Sequence, residues 1–212
     1  DPDAFISLEC GAEVLEQSYR IPRVVHALAT NIAQRIHNRF PKVYRPRNFE
    51  GSIKRLSSVQ DVDMSEGDWL VMAQANYMLT PVAYDLKSGG YLFERNGARS
   101  INGKLSEAVN GWEQLRQGRV IEGAVCQLIY GFMSGNGGRV ARGKKKIENA
   151  TEKKFSLEQL QQEHGLLATG EMIWHDAMDK IPPPERAYIT ALLRRGEKFN
   201  AKPRIRLSTI HG

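Results

Sequence analysis

The chain has 212 residues, 41% of them apolar and 25% charged, which excludes a disordered tail and allows one large domain or two small ones around a buried core. Its 30 Lys and Arg against 24 Asp and Glu give a net charge of +6, which favours an anionic partner such as nucleic acid or a nucleotide. No apolar stretch approaches the ~20 residues of a membrane helix, no secretory pattern opens the chain, and two cysteines, Cys10 and Cys126, cannot build a disulfide framework or a Cys-based zinc site.

The spacing predicts a short strand over residues 13–16. Pro22 suits the first position of a helix, where its missing N–H costs nothing. Val24, Val25, Leu28, Ala29, Ile32 and Ile36 recur at helical spacing towards Arg39, and Pro41 stops the run. A loop over 45–51 precedes a strand predicted over 52–56. Trp69-Leu70-Val71-Met72 is a continuous apolar run, which predicts a strand over 68–73 buried on both faces of a parallel sheet. A helix over 77–87 is closed by Gly89-Gly90, and Tyr91-Leu92-Phe93 reads as a further strand. Helix and strand alternating in this way predict an α/β fold.

The pattern changes near Ser100. Residues 104–117 and 120–133 read as helices, 134–154 as a basic, glycine-rich loop, and 156–163 as a helix with Ser156 as N-cap and Gln159 at the capping-box position. No strand is expected between 100 and 180. Pro182-Pro183-Pro184 forms a stiff joint, 185–195 a helix and 203–210 a strand. An α/β unit is therefore expected to be interrupted by a helical insertion and then to resume, over 1–100, 101–182 and 183–212.

Several clusters could carry chemistry. Leu15-Glu16-Gln17-Ser18-Tyr19-Arg20 ends a strand ahead of a helix, where ligands sit in α/β folds. Arg20 suits phosphate and Tyr19 a base, or Tyr19 packs on the helix and Arg20 pairs with Glu16. Ser208-Thr209-Ile210-His211-Gly212 gathers hydroxyl and imidazole groups that could grip a phosphate backbone, or ends in a plain surface turn. It holds no nucleophile elbow, so a Ser-His hydrolase is not expected. Asn76, after the apolar strand, could cap the next helix or bond to nucleic acid.

Gly138-Arg139-Val140-Ala141-Arg142-Gly143-Lys144-Lys145 approaches the phosphate-loop pattern but puts Lys145 where the magnesium-binding hydroxyl belongs. It reads instead as a flexible basic loop. Arg139, Arg142, Lys144, Lys145, Lys146, Lys153 and Lys154 face only Glu148 and Glu152 nearby in sequence, a charge balance that suits a DNA backbone or a solvated loop. The histidines show no metal-ligand spacing, so no metal is expected. Trp112 and Trp174 fall on helical patterns and are expected in the core. Cysteine usage suggests a reducing, cytoplasmic setting. The abrupt first residues and the terminal glycine suggest a piece of a longer protein.

In order, these segments resemble UvrD-like superfamily 1 DNA helicases of bacterial or phage type. Residues 15–20 resemble their motif IV. Leu207-Ser208-Thr209-Ile210-His211-Gly212 resembles the start of motif V. Trp69-Leu70-Val71-Met72-Ala73-Gln74-Ala75-Asn76 resembles the intervening strand motif, with Gln74-Ala75 where the family has Arg-Thr. Asp1-Pro2-Asp3-Ala4-Phe5 resembles the stretch after motif III. The resemblance implies a second RecA-like motor domain, a parallel sheet with helices on both faces, interrupted by a helical subdomain. It implies an ATP-dependent 3′-to-5′ motor acting on single-stranded and duplex DNA. Arg20, Tyr19 and Gln17 would face the nucleotide, with Arg20 catalytic. Thr209, His211, Ser208 and Asn76 would face DNA, alongside Lys144, Lys145 and Lys146 of the basic loop. ATP with Mg2+ would be held by a separate N-terminal RecA-like domain, and this segment alone would be inactive. The alternative is a non-catalytic DNA- or protein-binding module that keeps the fold.

Overall fold

The computed structural model describes residues 15–37, 39 and 43–211. Two compact units divide the chain, Asp1–Asp61 and Val62–Gly212. The expected strand residues Glu13 and Val14, the opening segment 1–5, Cys10, Pro41 and Gly212 lie outside the described residues.

The first unit is organised by backbone bonds around Ser18. Gln17 forms an isolated parallel bridge with Arg45. The Ser18 N–H donates to the Arg45 carbonyl at 2.8 Å, and the Arg45 N–H donates to the Glu16 carbonyl at 2.6 Å. Helix α1 spans Arg23–Ala33, with Pro22 one position earlier than expected, at the N-cap. Its orphan amides are met by the loop: Arg23 N–H donates to the Phe49 carbonyl and Val24 N–H to the Glu50 carbonyl. The helix ends before Arg39, and none of its residues is buried; Leu28 is 40% and Ile32 55% exposed. The strand expected over 52–56 is not formed; these residues are exposed and lie outside any sheet. A strand needs a neighbour to take its N–H and C=O groups, and a single sequence does not display that neighbour.

The second unit is mixed α/β. Strands β1 (Trp69–Ala73), β2 (Phe93–Arg95), β3 (Ala98–Arg99) and β6 (Ile205–Thr209) form one sheet in the order β1-β6-β2-β3. β6 is parallel to β1 and β2, while β2 and β3 form an antiparallel hairpin. Helix α2 (Leu79–Ser88) connects β1 to β2. Between β3 and β6 the chain makes α3 (Gly103–Arg116), α4 (Gly123–Gly131), α5 (Leu157–Glu163), α6 (Trp174–Ala177) and α7 (Pro183–Arg195). Two-residue strands β4 (Ile121–Glu122) and β5 (Lys154–Phe155) pair within this stretch, where no strand was expected. They are too short to give a period-2 signal.

β1 is not buried on both faces. Leu70 and Met72 are 58% and 59% exposed, while Trp69, Val71 and Ala73 are partly covered. Registered side chains share a face in a parallel pair, so Leu70 and Met72 lie with Arg206 and Ser208. An uninterrupted apolar run cannot separate a strand covered on one side from one covered on two.

The main core lies in the helical stretch. Trp112, Leu115, Ile129, Tyr130, Met133, Leu160, Met178, Ile189 and Leu192 are fully buried, and Trp174 is buried beside them, as expected for both tryptophans. The Trp112 indole N–H donates to the Met172 carbonyl at 2.8 Å, which satisfies its one polar atom. Gly111 lets α3 and α4 approach: a Cβ there would stand 2.5 Å from a Val125 methyl. Ser156 caps α5 in a full capping box with Gln159. α2 and α7 are joined by the Lys87–Glu185 ion pair at 3.0 Å, and Tyr188 Oη donates to the Tyr91 carbonyl at 2.8 Å.

Candidate functional site

The parallel strands of the second unit end on one rim. Ala73 pairs with Thr209 and Arg95 with Leu207, so β1 and β6 finish together and β2 ends two residues earlier. The Ile210 N–H donates to the Ala73 carbonyl at 3.1 Å and extends the β1–β6 pairing past the strand end. This edge carries the residues that follow the strands: Asn76 after β1, Asn96 after β2, and His211 after β6. Carboxyl ends of parallel strands are where open α/β sheets bind ligands, because the loops there are free of the ladder.

Arg95 and Asn96 tie the rim together. The Arg95 guanidinium donates to the Asn76 carbonyl at 2.6 Å and lies 3.4 Å from the Thr80 hydroxyl. The Asn96 amide donates to the Asn76 side-chain carbonyl at 3.2 Å. Asn76 therefore does not cap α2, whose N-cap is Met78 with no side-chain bond; its side chain is held across the rim instead. Neither Arg95 nor Asn96 was singled out from sequence. A signal was present in Asn96-Gly97, the pair suited to a tight hairpin, and both residues adopt positive φ, 51° and 77°.

Ser208 and Thr209 are half-buried on β6 and His211 is exposed beyond it. The Ser208 hydroxyl donates to the Thr209 carbonyl at 3.1 Å. It is spent on backbone and not on an imidazole, so the rim holds no activated nucleophile of the Ser-His kind. The Arg95 guanidinium and the Ser208 hydroxyl are committed to protein groups, while the Asn76 and Asn96 amides, the Thr209 hydroxyl and the His211 imidazole make the rest of the edge polar.

In the first unit, Ser18 is buried and its hydroxyl accepts from the Arg20 N–H at 3.3 Å and the Ile21 N–H at 3.1 Å. That local turn fixes the loop and leaves the Tyr19 and Arg20 side chains exposed; Tyr19 is 84% exposed. Glu16 pairs with Arg45 at 3.5 Å, not with Arg20. The Gln17 amide donates to the Ser18 carbonyl at 2.9 Å and the Pro46 carbonyl at 3.1 Å, so its donor serves the loop.

The basic segment follows α4 in the second unit, on a different loop from the rim. Lys144 and Lys146 are exposed and Lys145 is half-buried. Gln127 of α4 pins it, donating to the Lys145 carbonyl at 3.0 Å and accepting from the Ile147 N–H at 2.9 Å. Lys154 is taken up by Glu122 at 2.7 Å. No helix begins directly after Lys145; the next starts at Leu157, so the segment lacks the helix N-terminus that a phosphate loop uses.

Among the described residues no three His, Cys, Asp or Glu side chains gather as a metal site, and no helix is long and apolar enough to cross a membrane. Comparison with protein families, curated proteins and solved structures finds no match.

Proposed function

We propose that this chain is the second motor lobe of an ATP-dependent DNA translocase of the UvrD-like type, with a RecA-like sheet interrupted by a helical insertion. The observation that carries the reading is the shared rim of β1 and β6. Asn76 follows the end of β1 and the Ser208–His211 segment closes and leaves β6, so motifs 131 or more residues apart meet at registered strand ends. That is the arrangement a strand-gripping edge needs: several neutral donors in a row, to hold phosphates and sugars without reading sequence. The long helical excursion between β3 and β6 supports the same reading.

Tyr19 and Arg20 fit a nucleotide approached from one side. Both side chains are exposed on a loop whose backbone Ser18 fixes. A flat phenol ring can lie on a base, and a guanidinium can neutralise charge on terminal phosphates. ATP with Mg2+ would supply the phosphoryl group and its counter-charge, held by a partner lobe with its own phosphate loop. Arg20 would then complete charge stabilisation only when the two lobes close, which couples hydrolysis to a shift of the DNA grip.

The rim is tested by anisotropy of a labelled single-stranded oligonucleotide. The double variant Thr209→Ala, His211→Ala weakens binding about tenfold, the order expected from two lost hydrogen bonds. Equal affinity would remove the rim from DNA binding. The 212-residue chain alone is expected to hydrolyse no ATP.

A further inference from the structure

A groove of about 600 Å³ runs along α3 in the second unit. One wall is a single face of that helix, with Gly103, Glu107, Asn110 and Gln114 lining it at spacings of four, three and four. The floor is apolar, made by the buried Ile121 and Phe199 and the half-buried Val125. The Arg99 guanidinium, also at the groove, donates to the Phe199 carbonyl and, at 2.7 Å, to the Ala201 carbonyl. Those bonds fix the 199–201 turn at its border.

The polar groups here differ in what they already hold. Lys154 and Glu122 pair with each other at 2.7 Å. Among the described residues, no hydrogen bond or ion pair engages the side chains of Glu107, Asn110 or Gln114, and all three are exposed. The charges lining the groove, Arg99 and Lys154 against Glu107 and Glu122, cancel, so it does not draw in a polyanion. The unpaired Glu107 carboxylate complements a Lys or Arg on a partner.

Asn110 and Gln114 stand four residues apart, a rise of about 6 Å along the helix. An extended chain turns the N–H and C=O of every second residue to one side, a repeat of about 6.7 Å. A carboxamide carries a donor and an acceptor side by side, so it bonds both groups of one such residue. Two carboxamides at this spacing match successive residues on one side of an extended peptide. Gly103 to Gln114 covers about 16 Å, room for about five extended residues.

We propose that this groove binds an extended peptide segment of a partner protein. Asn110 and Gln114 bond its backbone, an apolar side chain packs on Ile121, Val125 and Phe199, and a Lys or Arg lies beside Glu107. The claim stands apart from the motor reading, because it needs neither nucleotide nor a second lobe.

The test selects from a phage-displayed library of random dodecapeptides on the immobilised 212-residue chain. Synthetic, fluorescein-labelled copies of the recovered peptides are then titrated by anisotropy. The peptides are expected to combine apolar residues with a Lys or Arg. The double variant Asn110→Ala, Gln114→Ala is expected to weaken them at least about tenfold, the order of two or more lost hydrogen bonds. Both are exposed helix positions where alanine favours the fold. Gln117→Ala, at the end of the same helix and outside the groove, should leave affinity unchanged. Glu107→Lys should weaken the basic peptides and recover acidic ones in a fresh selection. Failure to enrich any peptide, or equal affinity for the native chain and the double variant, overturns the proposal. A single-stranded oligonucleotide that loses binding in the double variant, with no peptide recovered, would give the groove to nucleobases and overturn it as well.

Discussion

Arg95 reaches across the sheet rim to the Asn76 carbonyl at 2.6 Å, so the turn after β2 holds the turn after β1 in place. β6 lies between the two strands, and its outgoing Ile210 N–H bonds the Ala73 carbonyl at the end of β1. The geometry of Thr209 and His211 at the rim therefore depends on a hairpin that carries no motif of its own.

Arg95→Met is expected to lose about 1 kcal/mol of stability, a charge-assisted bond discounted for its partly exposed position. It is also expected to weaken single-strand binding although Arg95 itself is spent on protein groups. Urea denaturation with oligonucleotide anisotropy checks both; unchanged values in both would make the cross-rim bond incidental.

Ser156→Ala removes the hydroxyl that accepts the Gln159 N–H at 3.2 Å. The expected cost is about 1 kcal/mol. Ser156→Asp should recover most of it, since an aspartate also caps. Chemical denaturation of the three proteins decides this, and a neutral alanine would show that α5 is held by packing alone.

That capping box was legible because it depends on residues three apart. Trp112 was legible for the same reason, its helical periodicity. The single-sided burial of β1 and the missing strand over 52–56 depend on which segments lie alongside, and no local pattern carries that. The cross-rim bonds of Asn76 likewise join residues that no local pattern connects. Of the candidate residues, the fold gathers Asn76, Ser208, Thr209 and His211 on one rim. Gln17 is committed to local backbone, while Tyr19 and Arg20 are left exposed.

Gly90→Ala is expected to destabilise by about 3 kcal/mol. Its φ is 71°, and a Cβ would stand 2.4 Å from the Ala191 carbonyl oxygen of α7. Backbone is on both sides of the contact, so no side chain can give way. A melting midpoint within a degree of native would contradict the close packing of the α2 end on α7.

Stability is expected to fall in alkali. Burial raises the Cys126 thiol from 9.0 to about 12, and burial likewise raises the Tyr188 phenol from 10.0 to about 12. Both folded-state values lie above the unfolded ones, so their stabilisation is complete below about pH 9. It is lost as the pH climbs to about 12. Cys126→Ala should flatten that slope in urea titrations between pH 8 and 11. The same burial predicts that native Cys126 resists alkylation at pH 8 and reacts once unfolded. Rapid labelling of the native chain would contradict it.

The measurement closest to the central claim is DNA-stimulated ATP hydrolysis in an intact two-lobed protein containing this chain, with and without Arg20→Ala. The account predicts that turnover falls roughly a thousandfold, in the range of a lost phosphate-contacting arginine, while single-strand affinity changes less than about twofold. Turnover equal to that of the native enzyme would contradict it.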